Sequence, residues 1–250
     1  IDGTFDDCQR LVKEAFLDQS LNERFILASA NSINIARLIP QSFYYFSAFA
    51  QLKSLQKPVV FAVPSGNFGN LSAGLLAWRM GLPVERFLAA TNRNNVVPRY
   101  LKNGVYEPRP SIETISNAMD VGSPSNFVRM QRFFADNWSE LRQLVSGYDY
   151  DDTQTRQTMR EVFDQTGYVL CPHTAVAFRA MQAYGYSATS PHVGVVLATA
   201  HPAKFLELVE TTLQSEIPVP ERLAALLTLE KQAVGLSTSF EAFKDYLLTS

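Results

Sequence analysis

The chain has 250 residues, 46% hydrophobic and 18% charged, enough for one large domain, or one and a part, with a sizeable core. A formal net charge of -2 supplies no basic field for nucleic acid and no polybasic membrane patch, and no apolar run approaches the roughly 18 residues a bilayer span requires. Two cysteines, Cys8 and Cys171, argue against a disulfide framework and for a reducing cytoplasm, and neither has metal-ligand spacing with His173, His192 or His201.

Ile1-Asp2-Gly3 reads as the tail of a strand, which leads us to expect a chain cut before its first residue; no basic-then-apolar signal is present there. Thr4 opens an amphipathic helix whose apolar members Cys8, Leu11, Val12, Ala15 and Phe16 recur at helical spacing. Residues 25–28 read as a strand, and a long helix is predicted through Ile35, Leu38, Ile39, Phe43, Phe46 and Phe49. Its aromatic run Phe43-Tyr44-Tyr45-Phe46 is explained most simply as a buried helix in a large core. A strand over 59–63, a helix over 71–80 and a strand over 87–90 follow.

From 96 to 147 the pattern changes: Pro98, Pro108, Pro110 and Pro124 interrupt it. The helical stretch 127–144 offers Phe127, Met130, Phe133, Phe134, Trp138 and Leu141 for burial, so the region reads as a mostly helical insertion rather than a linker. The Asp149-Tyr150-Asp151-Asp152 cluster lies where a helix begins and reads as an N-cap with first-turn acids. Helices over 152–165, 173–184 and 203–213 and a strand over 193–198 complete an α/β alternation, which points to parallel sheets flanked by helices. In domain terms, 1–30 ends an N-terminal α/β part, 31–95 is a small α/β lobe, 96–147 the insertion and 148–250 the C-terminal part of a large α/β domain.

Pro64-Ser65-Gly66-Asn67-Phe68-Gly69-Asn70 joins the 59–63 strand to a helix that starts at Gly69 or Asn70. Two glycines let main-chain N–H groups approach an anion, and the helix adds unpaired N–H groups and the positive end of its dipole. The loop is neither a dinucleotide fingerprint nor a Walker loop, so a single phosphate on a small cofactor or substrate fits better, with a plain packing turn as the alternative. A second candidate anion site is Asn31-Ser32-Ile33-Asn34-Ile35-Ala36-Arg37. Asn31 and Ser32 suit an N-cap, and Asn34 and Arg37 lie three apart on one helix face; an ordinary cap with a surface Arg is the competing reading.

Five segments occur together in an order and spacing similar to the threonine synthase family of bacteria and fungi: 31–37, 63–70, Ala90-Thr91-Asn92, Ser116-Asn117-Ala118-Met119-Asp120 and 198–205. The resemblance runs over essentially all 250 residues. It implies a fold-type II, tryptophan synthase β-like enzyme using pyridoxal 5'-phosphate to convert O-phospho-L-homoserine and water into L-threonine and phosphate. The enzyme it implies is cytoplasmic, acts on a small molecule without nucleic acid, membrane or metal, and is a monomer or weak homo-oligomer. A threonine dehydratase or other fold-type II lyase would share the glycine loop, but fits the 116–120 and 198–205 signatures poorly; a non-catalytic binder remains a further alternative.

Carried over by resemblance, Gly66, Asn67, Phe68, Gly69 and Asn70 cradle the cofactor phosphate, Thr199 faces the pyridine nitrogen, and Asn31, Ser32, Asn34 and Arg37 contact substrate. The family's cofactor lysine belongs to a segment before Ile1, so this chain alone is expected to be inactive. Phe243-Lys244-Asp245 imitates that lysine's surroundings but lies near the C-terminus, and Lys244 is expected to face water beside Asp245. Lys13, Lys53, Lys57, Lys102 and Lys231 fall on polar faces or in loops, and Lys204 is read as a surface or substrate-neutralising residue.

Overall fold

In a computed structural model, which describes residues 1–185, 187, 189–227 and 229–249, the first elements are helical. Helix α1 (Phe5–Leu17) begins at a capping box in which Thr4 Oγ1 accepts from the Asp7 N–H and the Asp7 carboxylate accepts from the Thr4 N–H. Helix α2 (Gln19–Arg24) follows, capped by Asp18. Two expected strands do not form: residues 1–3 and 25–28 carry no regular structure, and Ile26 is fully exposed. A short apolar run becomes a strand only beside a sheet edge that takes up its main-chain groups, and among the described residues neither segment pairs with the sheet.

The predicted long helix is divided into α3 (Ile35–Leu38), a 3₁₀ turn (Ile39–Gln41) and α4 (Ser42–Leu52). Pro40 lacks the N–H a continuous helix would need. Tyr45 is fully buried but Phe43 is 62% exposed and Tyr44 38%, so α4 is covered on one face only, not wholly buried as its aromatic run suggested.

Strand β1 (Val59–Pro64), buried along its whole length, leads into α5 (Gly69–Arg79), β2 (Arg86–Thr91) and α6 (Val96–Asn103). After a 3₁₀ turn (Asn117–Met119), the expected 127–144 helix appears as α7 (Phe127–Phe133) and α8 (Trp138–Leu144). Ala135 and Asp136 between them have φ of 49° and 62°, and Asn137 caps the second piece. Strand β3 (Val145–Asp149), absent from the sequence reading, runs straight on from α8. Then come α9 (Asp152–Thr166), α10 (Pro172–Ala183), β4 (Val193–Val196), a 3₁₀ turn (Pro202–Phe205), α11 (Leu206–Leu213), α12 (Glu221–Leu227) and α13 (Phe240–Thr249). Asp151 caps α9 in a capping box and Asp152 sits in its first turn, as the acidic cluster implied.

The four strands form one parallel sheet in the order β3-β2-β1-β4. From β1 the chain steps outward through β2 to β3 and then returns to place β4 on the other side of β1. The crevice at the carboxyl ends of β1 and β4 is therefore the point where the winding reverses, the place where open α/β sheets bind ligands. One face of the sheet packs against α4 to α8 through Phe61, Phe87, Tyr45, Tyr100, Phe127 and Met130. The other packs against α10 through Val60, Ala62, Leu88, Val176 and Ala180.

The two ends of the chain meet. The Asp2 N–H donates to the Leu236 carbonyl at 2.8 Å, and Arg10 Nη2 donates to the Thr238 carbonyl at 2.7 Å. Lys244 Nζ, expected to face water beside Asp245, instead pairs with Asp18 Oδ2 at 2.7 Å, drawing α13 onto the α1–α2 corner.

Candidate functional site

A cavity of about 990 Å³ opens at the reversal point. Its walls include Gly66 to Asn70 after β1, Val196 to Ala200 at and beyond the end of β4, Ser32 and Arg37 near α3, and Met119, His173 and Lys204. Arg37 and Lys204 bring positive charge to the lining, which contains no Asp or Glu.

The geometry of the loop after β1 starts with Phe68, not with a glycine. Phe68 has φ 61° and ψ 18°, a left-handed conformation that costs a side chain-bearing residue on the order of 1 kcal/mol, and it is held there by burial in the main core. This turn feeds directly into the first residue of α5. The glycines serve close approach: a Cβ on Gly66 would lie 2.5 Å from Met119 Cα, and one on Gly69 2.8 Å from Ser32 Cβ. Among the described residues, none of the main-chain N–H groups of residues 66–70 has a protein acceptor, whereas the Ser65 N–H is taken by the Ala90 carbonyl and the Leu71 N–H by Asn70 Oδ1. A run of unpaired donors at the N-terminus of an eleven-residue helix, lining a cavity, has the geometry that suits an anion.

The asparagines of the loop brace it. Asn70 Nδ2 donates to the Pro64 carbonyl at 2.8 Å and its Oδ1 accepts from Ser65 Oγ at 3.0 Å; Tyr45 donates its hydroxyl to the Asn70 carbonyl at 2.8 Å. Asn67 Oδ1 accepts from the Ser125 N–H at 2.7 Å, and its Nδ2 donates to Ser32 Oγ at 3.1 Å. Ser32 thus joins the two segments singled out in the sequence, receiving a second hydrogen bond from the buried Asn126 at 3.0 Å.

The other predicted substrate residues divide. Arg37 lines the cavity and donates to the Ala30 carbonyl. Asn34 instead caps α3, accepting from the Ala36 N–H at 3.0 Å, and Asn31 accepts from Ser32 Oγ at 3.1 Å; neither lines the cavity. Thr199 lies on the wall facing the loop, exposed, its hydroxyl without a protein partner among the described residues.

Three contributors had no site role assigned from the sequence, although Asp120 closes one of the five signature segments. Arg129, on α7, donates to the carbonyls of Ser32 at 2.7 Å and Ile33 at 2.6 Å, clamping the turn before α3 from 96 residues away. Asp120 accepts from Asn92, Asn94 and Thr114, and so fixes the segment whose Met119 backbone abuts Gly66. Desolvation raises the pKa of its carboxyl above 3.8. His173, near the start of α10, is 3% exposed; its Nε2 accepts the Ala118 N–H at 3.2 Å and its ring lies 4.9 Å from that of Phe205. Burial, aided by the positive Lys204, depresses its pKa from 6.5 to about 4, so the imidazole is neutral. Arg129 had no local signal, and His173 read only as a helix-start residue.

A family model described as "Pyridoxal-phosphate dependent enzyme" matches residues 1–199. The chain belongs to that family. Within it, the chain groups with the threonine synthases: a model described as "Threonine synthase, C-terminal" matches residues 174–247, and relatives and structures agree. Threonine synthase of Serratia marcescens is 46% identical over 249 residues, 99% of this chain and 57% of that protein. The crystal structure of threonine synthase from Escherichia coli superposes with a TM-score of 0.93 at 45% identity, covering 100% of this chain and 57% of the other. A PLP-bound threonine synthase structure from Brucella melitensis gives 0.82 at 34% identity, covering 98% of this chain and 57% of the other. The chain thus spans somewhat over half the length of the threonine synthases it matches. A tomato threonine deaminase at 13% identity and a TM-score of 0.54 shares the fold alone.

Proposed function

We propose that this chain carries the cofactor-phosphate cradle and one wall of the substrate site of a cytoplasmic threonine synthase. The free amides of residues 66–70 carry this reading, because they offer a dianionic phosphate a ready set of donors inside a cavity. Pyridoxal 5'-phosphate fits the residues present, and when bound it supplies the electron sink through which charge developing at an amino-acid α-carbon is stabilised. Gly66, Asn67, Phe68, Gly69 and Asn70 would hold its phosphate, and Thr199 would meet its ring nitrogen as a neutral hydroxyl partner.

The same wall suits O-phospho-L-homoserine. Arg37 presents a guanidinium whose fork matches a phosphate ester, and Lys204 adds a second positive charge at the cavity. Ser32 sits between Asn67 and Asn126, so its position, and the turn leading to α3, is coupled to that of the cofactor loop. A neutral His173 beside Lys204 leaves that ammonium as the dominant charge on its side of the cavity.

Binding to this chain is expected to be reversible and non-covalent. Incubation with pyridoxal phosphate should give a spectral titration that inorganic phosphate competes away, and borohydride followed by peptide mass spectrometry should find no cofactor on Lys204 or Lys244. Gly66→Ala, which drives a methyl into the Met119 backbone, should weaken binding at least tenfold. Stoichiometric labelling of Lys204, or binding indifferent to Gly66→Ala, would sink the proposal.

A further inference from the structure

A second cavity, of about 560 Å³, lies beside β3, the edge strand at the far end of the sheet order from β4. It is bounded by Arg86 at the start of β2, Arg99 and Lys102 on α6, Arg142 on α8, and residues 145–147 of β3. Four positive side chains surround it and Asp149 is the single carboxylate in the lining, already accepting from Asn95 Nδ2 at 2.9 Å. Among the described residues, Arg86, Lys102 and Arg142 have no ion pair, and Arg99 has only a solvent-exposed one at 3.4 Å to Glu107.

Charges along an edge strand commonly serve to discourage pairing with another sheet, and solvated lysines and arginines suffice for that. Arg86 does not fit this role. Its Nη1 donates to the Arg142 carbonyl at 3.0 Å, which fixes the guanidinium, yet its Nε is buried and has no hydrogen-bond partner among the described residues. The bond to Arg142 holds Arg86 against the cavity wall instead of leaving it to extend into solvent as an edge-guarding charge would. Arg142 is itself fixed, with its guanidinium 4.4 Å above the Trp138 ring.

We propose that this cavity is a second anion site, separate from the one at the reversal point, which binds a compact oxyanion carrying two or more negative charges. Planar guanidinium forks from Arg86, Arg99 and Arg142 match the oxygens of a phosphate or carboxylate group, and Lys102 adds an unpaired charge at the rim. With a net charge of -2 the chain lacks the extended basic field that nucleic acid requires, so the ligand is a small molecule. At the far end of the sheet from the cofactor loop, the site has the placement of an effector site, and its existence does not depend on the catalytic reading above.

The test is a titration with inorganic pyrophosphate and, separately, citrate, at constant ionic strength, following the Arg86 side-chain Nε–H and the Gly147 amide by nitrogen-15 NMR. Saturable shifts at both positions are expected, with Arg86→Gln and Lys102→Gln each weakening binding about tenfold, the loss of one charge-assisted contact. Shifts in Gly66 to Asn70 report the other site and are scored apart. Pyrophosphate binding alone assigns the ligand to phosphates, citrate binding alone to carboxylates. If neither anion moves Arg86 and Gly147 beyond what matched chloride does, or if the two variants bind as the parent does while retaining its spectrum, the inference is wrong.

Discussion

At the scale of single residues, the loop between β1 and α5 depends on side chains that occupy strained or desolvated positions. Phe68 tolerates a left-handed backbone because its ring is anchored in the core, and this turn leaves the loop amides free for a ligand. His173 shows the same economy with charge. Its proton resides on Nδ1 because Nε2 accepts from Ala118, and that Nδ1 is buried without a partner among the described residues. The imidazole has a folded pKa near 4 against 6.5 when free, so the unfolded chain binds more protons between those values. Stability should therefore fall as pH drops from about 6.5 to 4 and level off below, by on the order of 3 kcal/mol from this group. Denaturant unfolding across that range, compared with His173→Gln, measures it; an NMR titration placing the His173 midpoint near 6.5 would contradict it. In the sequence His173 is one of three histidines at unremarkable spacing, and burial alone gives it this property.

Elements were legible where local chemistry determines them. Thr4 and Asp151 cap the helices they precede, and the apolar run at β1 forms a strand buried from end to end. Elements that depend on partners were not. Residues 25–28 have the composition of a strand but no edge to join, while Val145–Asp149, with Ser, Gly and Asp in five positions, becomes β3 because β2 presents it with a ladder. Pro40 and the left-handed Ala135 and Asp136 divide two helices that periodicity joined. The turn before α3 is likewise set from outside, by Arg129 on α7. Arg129→Ala should release the carbonyls of Ser32 and Ile33, at a cost of about 2 kcal/mol for two charge-assisted bonds. Hydrogen exchange should quicken in residues 29–38 while β1 and β2 stay protected. Uniform exchange across both regions would mean that Arg129 supports the whole fold rather than this turn.

Across the whole molecule, the sheet order brings the two halves of the site together, and the chain ends are tied by α13. The Lys244 pair, with help from Ser20 and the Leu21 N–H, holds the Asp18 carboxyl down at about 2. That contribution to stability is complete above pH 3.8 and fades as pH falls through 2. In Lys244→Ala, exchange in residues 240–249 should rise at neutral pH with the central strands unchanged; identical exchange in parent and variant would show that the pair is not the tie. The sequence by itself determined the strand–loop–helix at 59–79, the helix caps and the resemblance to threonine synthases, because these are written in neighbouring residues and their order. Only the tertiary structure decided that Ser32 bonds to Asn67, that Thr199 faces the loop, that Asn31 and Asn34 turn away from the cavity, and that Arg86 bonds to the Arg142 carbonyl. Strand order and the convergence of distant side chains come from burial and pairing across the fold, which periodicity along the chain does not encode.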